Sequence, residues 1–126
     1  MKFMLLVHHD EAAFELIGQG KQQQMLAESV ALTHQLHTHG QYLSASPLQP
    51  AATSLIVRVR ESRPIITDGP FIETREQLAG YFLINARDLN EATQIATFLK
   101  QERNRTSAIT DIVWAIMNTK EFLIAE

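Results

Sequence analysis

The sequence predicts an α+β fold, an antiparallel sheet with helices on one face. Three observations point there. Residues 21–39 carry a helical period, with Met25, Ser29, Leu32 or Thr33, and Leu36 recurring every three or four positions. Residues 53–60 alternate strictly: Leu55, Val57 and Val59 point one way, and Ser54, Ile56, Arg58 and Arg60 the other. Between two further apolar strands lies a capped helix, opened by Asp88 with Glu91 three residues later.

In chain order, residues 3–8 read as a buried strand ended by Asp10 and Glu11, and residues 11–17 as a helical turn broken by Gly18-Gln19-Gly20. The long helix over 21–39 follows, with Gly40 as its C-cap. Residues 42–50 carry two prolines and read as an irregular loop. The strand over 53–60 turns at Glu61-Ser62 and returns over 63–67. Residues 80–86 form the next strand, 89–100 the second helix, 101–108 a polar loop, and 111–118 the last strand. The order is β-α-β-β-α-β with a small hairpin inserted before the third main strand, the ferredoxin-like split βαβ arrangement with both helices on one face. The expected organisation is a single domain over 1–118 and a C-terminal tail over 119–126.

One pattern goes further. A sheet covered on one side should alternate apolar and polar residues. The first strand instead has Phe3, Leu5 and Val7 on one face and Met4 and Leu6 on the other; the last has Ile112, Trp114 and Ile116 against Val113, Ala115 and Met117. Two helices cover one face, so the second predicts another cover, most simply a second copy of the sheet in a homodimer.

Composition excludes several classes. With 126 residues, 45% hydrophobic and 20% charged, the chain can build its own core. A net charge of −3 gives no general attraction to nucleic acid or anionic membrane. The absence of cysteine removes disulfides, thiolate metal sites and cysteine nucleophiles. The apolar run at 3–7 is too short for a signal-peptide core or a membrane span, so the expectation is a cytoplasmic protein.

The segment Asp68-Gly69-Pro70-Phe71-Ile72-Glu73-Thr74-Arg75-Glu76-Gln77-Leu78-Ala79-Gly80-Tyr81 concentrates turn residues and charge ahead of an apolar strand. Together with Met1–Val7 as MKFMLLV, Asp10-Glu11, Gly40, Leu48-Gln49-Pro50 and Val57-Arg58-Val59-Arg60, it resembles the DGPF branch of the YciI-like (YCII-related) proteins, nearly to Met117. The resemblance implies a dimeric α+β barrel. It implies no particular reaction, and some relatives are associated with extracytoplasmic-function sigma factors. The related YciI-like branch carries a histidine on the first long helix, proposed to work with an aspartate; Ser29 stands at that position here. Arg75 replaces the usual lysine, and Trp114-Ala115-Ile116 replaces the usual Val-Arg-Pro.

Asp68 is the candidate catalytic residue, a carboxylate at a tight turn able to act as general acid or base beside a cleft. The alternative is a turn in which the Asp side chain bonds nearby backbone N–H groups and Gly69 supplies the backbone conformation. Candidate ligand-binding residues are His8, His9, Asp10, Gly69, Pro70, Phe71, Glu73, Arg75, Arg58 and Arg60. Glu73 and Arg75 read either as a charged pocket rim or as a turn capped by Thr74 and Gln77. Arg58, Arg60 and Arg63 suit a carboxylate or phosphate, or else protect an edge strand. His34, His37 and His39 sit where histidine complements a helix dipole, and no metal site or cofactor is expected. Two readings follow. One is a ligand-binding or enzymatic barrel with a pocket for a small polar or anionic ligand between the first long helix and the sheet, rimmed by Asp68 and Glu73. The other is a non-catalytic dimeric module with a regulatory or partner-binding role.

Overall fold

The computed structural model of the chain describes residues 1–70, 73–104 and 113–118. The elements are β1 (Lys2–His9), α1 (Glu11–Leu16), α2 (Gln19–Thr38), β2 (Tyr42–Pro47), a 3-10 turn at Ala51–Thr53, β3 (Leu55–Arg60), β4 (Arg63–Asp68), β5 (Gln77–Asn85), α3 (Leu89–Asn104) and β6 (Val113–Asn118). Four strands form one sheet in the order β2-β5-β1-β6, every neighbouring pair antiparallel. β3 and β4 form a separate two-stranded ribbon. The architecture is α+β and compatible with a ferredoxin-like fold. Among the described residues no helix is long and apolar enough to cross a membrane.

The core lies between the sheet and the two long helices. Phe3, Leu5 and Val7 of β1 and Phe82 and Ile84 of β5 alternate onto one face. Against them pack Met25, Leu32 and Leu36 of α2 and Ala92, Ile95, Ala96 and Leu99 of α3. Burial of each large side chain here contributes about 1.5–3 kcal/mol before entropy is counted. On the opposite face Met4, Leu6, Tyr81 and Leu83 are only half-buried.

Local chemistry sets the helix ends. The Asp10 carboxylate accepts the Ala13 N–H at 3.2 Å, so the residue expected to end the strand also caps α1. α2 closes when the Gln41 N–H donates to the Leu36 carbonyl at 2.9 Å, the six-to-one bond of a Schellman end around Gly40. At α3 the Asp88 carboxylate accepts the Glu91 N–H at 2.8 Å. Glu91 reaches back one residue further than a standard capping box, to the Arg87 N–H at 2.5 Å.

The largest departure from expectation is β2. Residues 42–50 read as a loop, yet Tyr42–Pro47 is the second strand of the main sheet. Tyr-Leu-Ser-Ala-Ser-Pro has little intrinsic strand preference, and the ladder shifts register between Tyr42 and Ser44. The strand exists because β5 supplies its hydrogen-bond partners. Its proline stands at the end of an edge strand, where no ladder donor is needed. Gly80 of β5 explains the close fit of this pair: a Cβ there would lie 2.7 Å from the Ser46 carbonyl oxygen.

Candidate functional site

A cavity of about 240 Å³ opens between α2 and the β2–β5 edge of the sheet. Phe14, Met25, Val30, Ala45, Leu48 and Phe82 give it apolar walls, and Gln22, Ser29, Thr33 and Tyr42 bring polar side chains. Among the described residues no charged side chain lines it. Ser29 and Thr33 lie one helical turn apart on α2 and so share a face. Their hydroxyls donate to backbone carbonyls of their own helix, Ser29 to Met25 at 3.1 Å and Thr33 to Val30 at 2.6 Å. The hydroxyl lone pairs can still accept. Gln22 donates its amide to the Phe14 carbonyl at 2.9 Å and thereby ties α1 to α2 at the cavity wall. Tyr81 reaches the Ser44 hydroxyl at 3.4 Å. A more open depression of about 310 Å³ lies between α2 and α3, but Glu91, its one carboxylate among the described residues, is bound to Arg87.

Beside the cavity, three motif segments distant in sequence are stitched together. The Glu11 N–H donates to the Gln77 side-chain carbonyl at 3.0 Å, and the Glu11 carboxylate accepts the Ala51 N–H at 2.7 Å. The Leu48 N–H donates to the Ala79 carbonyl at 2.8 Å. The His9 ring lies 4.9 Å, centroid to centroid, from Phe14. Asp10 and Glu11 therefore anchor the start of α1 and the segment after β2.

The structure separates most of the sequence-derived site residues. His8 and His9 follow one another in β1, so their side chains leave on opposite faces. His8 is registered opposite Leu78 and His9 opposite Gln77. Asp68 ends β4 on the exposed ribbon, opposite Leu55, and does not line the cavity. Among the described residues its carboxylate makes no hydrogen bond to the turn. The turn is held by the Gly69 N–H donating to the Ser54 carbonyl at 2.8 Å, with Gly69 at φ 94°. Pro70, Glu73 and Arg75 are exposed, and Phe71 lies outside the described residues. Arg58, Arg60 and Arg63 share one ribbon face. Thr74 and Gln77 do not cap a helical turn; Thr74 donates to the Glu76 carbonyl and Gln77 to the Thr74 carbonyl, closing a short non-helical bend. Among the described residues no three His, Asp or Glu side chains converge as metal ligands.

Of the cavity's polar groups, Ser29 is visible in the sequence as a small polar residue on the inward stripe of a helix. Tyr42 is not, because residues 42–50, with two prolines, carry no strand pattern of their own.

The chain is similar to an uncharacterised protein of Rhizobium meliloti (strain 1021), 26% identical over 108 residues that make up 86% of this chain and 87% of that protein. The YCII-related domain matches residues 1–112. That match spans β1 through α3, including both the cavity and the ribbon, and the chain belongs to the YCII-related family.

Proposed function

We propose that this protein binds a small, uncharged and largely apolar molecule in the cavity between α2 and the β2–β5 edge. The observation that carries this is the lining: apolar walls, the hydroxyls of Ser29, Thr33 and Tyr42 grouped with Gln22, and, among the described residues, no charge. A carboxylate or phosphate placed there would lose its hydration without gaining a cation. A neutral ligand would lose little and would gain one or two hydrogen bonds that fix its orientation. The volume suits a molecule of fragment size. A general acid or base at Asp68 has no support from the lining, so the reading is of a binding protein.

In this proposal the protein is a homodimer of the DGPF branch, paired through the sheet face that the helices leave open. The half-buried Met4, Leu6, Tyr81 and Leu83 support it. Light scattering should then give twice the 14.2 kDa chain mass.

Ligand-observed NMR with a library of neutral and anionic fragments tests the binding site. The expected hits are neutral, compete with one another, and disappear in Ser29→Leu, which fills the cavity without removing a core side chain. Asp68→Asn should bind them normally. Anionic hits that survive Ser29→Leu and vanish in Asp68→Asn would place the site at the turn after β4 and overturn this reading.

A further inference from the structure

The two sides of the β3–β4 ribbon differ. By register, Leu55, Val57, Val59, Pro64 and Ile66 share one side, with Asp68 at its end, and Arg58, Arg60, Arg63 and Thr67 share the other with Ile56 and Ile65. On the apolar side Leu55 is 60% exposed, Val57 60%, Val59 63% and Ile66 63%. An alternating strand pattern with its charged side in water is the pattern of a strand whose apolar side is covered. Among the described residues nothing covers it.

Nor does the ribbon hold itself together. Two strands without a packed face are marginal in water. Its two-residue turn places Glu61 at φ 50° and Ser62 at φ 61°, the left-handed region where such turns normally use Asn-Gly. The turn therefore opposes the hairpin rather than nucleating it, and the missing stabilisation must come from whatever packs on the apolar side.

We propose that the β3–β4 ribbon is a docking arm whose apolar side is covered by a second copy of this chain. The proposal rests on the pairing through the open sheet face described above and deepens it. Two features select a second copy. The exposed apolar residues leave on the order of 500 Å² per ribbon, at the upper end of patches on soluble monomers. With the open sheet face added, each copy approaches the roughly 800 Å² that a partner contributes to a standard interface. The chain also carries both halves of the contact, an exposed apolar arm and a half-buried apolar sheet face, which a two-fold axis lets two copies exchange reciprocally. The arginine side of the arm then stays in water and blunts the free ribbon edges against further strand addition.

The chain has no cysteine, so Val57→Cys introduces a unique thiol. Its reaction with a maleimide is followed against protein concentration, with mass from light scattering on the same samples. Supporting the proposal, the dimer reacts about tenfold or more slowly than the diluted monomer. The double variant Val57→Glu/Val59→Glu should be monomeric with an unchanged circular dichroism spectrum, whereas Arg60→Ala, on the other side, should remain dimeric. A dimer whose thiol reacts as fast as in urea would overturn the arm and leave the sheet pairing standing. A monomer at every concentration would overturn both. Slow labelling at every concentration, released by removing residues 119–126, would mean that the chain's own C-terminal segment covers the ribbon, and the arm would fail.

Discussion

β1 and β3 are both strands with an apolar side, yet they meet opposite fates. In β1 the side carrying Phe3, Leu5 and Val7 is at most 2% exposed, while in β3 the side carrying Leu55, Val57 and Val59 is at least 60% exposed. By alternation alone β3 is the cleaner amphipathic strand. The difference is what lies over each: α2 and α3 close on β1, and nothing among the described residues closes on β3. An alternating pattern states that a face is meant to be buried. It does not say by what, and in this chain the two answers differ.

Substitution can break that comparison most sharply in the core. Leu99→Ala removes a fully buried side chain and should cost about 2–5 kcal/mol in urea denaturation. Val57→Ala, measured at a concentration where the protein is monomeric, should cost no more than about 0.5 kcal/mol. Equal losses would show that the ribbon is packed within its own chain.

The next largest effect is expected at the seam of the main sheet. Gly80→Ala brings a methyl group to 2.7 Å from the Ser46 carbonyl oxygen, backbone that cannot rotate aside. A loss of about 1–3 kcal/mol should follow, with weakened protection of the β2 amides in hydrogen exchange. Unchanged stability would show that β2 is free to shift, which the cavity beside it could not survive intact.

At the ribbon's base Gly69→Ala should cost about 1–2 kcal/mol for a different reason, since open space surrounds the position and only its φ of 94° resists a side chain. The loss should appear in exchange of ribbon amides before it appears in global unfolding. The smallest change should be a gain. Glu61→Asn with Ser62→Gly relieves two left-handed residues and should slow ribbon exchange by an amount worth roughly 1 kcal/mol, leaving the main sheet unaffected. No change would show that the turn residues do not limit the hairpin.

The site was less legible than the fold. The turn at Asp68-Gly69 drew attention because acidic and turn residues crowd there, and the glycine does take the left-handed conformation such a turn needs. The carboxylate, however, ends up on a ribbon away from the cavity. Asp10 and Glu11 were visible as a charged pair, but only the fold brings Glu11 to the Ala51 N–H and Gln77 to the Glu11 N–H. Those partners are 40 and 66 positions away in the chain, beyond the reach of any local pattern.

By itself the sequence determined what short-range chemistry controls. The helical stripe of Met25, Leu32 and Leu36, the cap at Asp88 and the alternation of β3 each follow from residues within a few positions of one another. Tertiary structure alone decided that Tyr42–Pro47 is a strand, because its backbone groups are satisfied only by β5, some forty residues later in the register. It likewise decided that Ser29 and Thr33 border a cavity while Asp68 does not, because a cavity is the gap between elements whose relative placement no local pattern encodes.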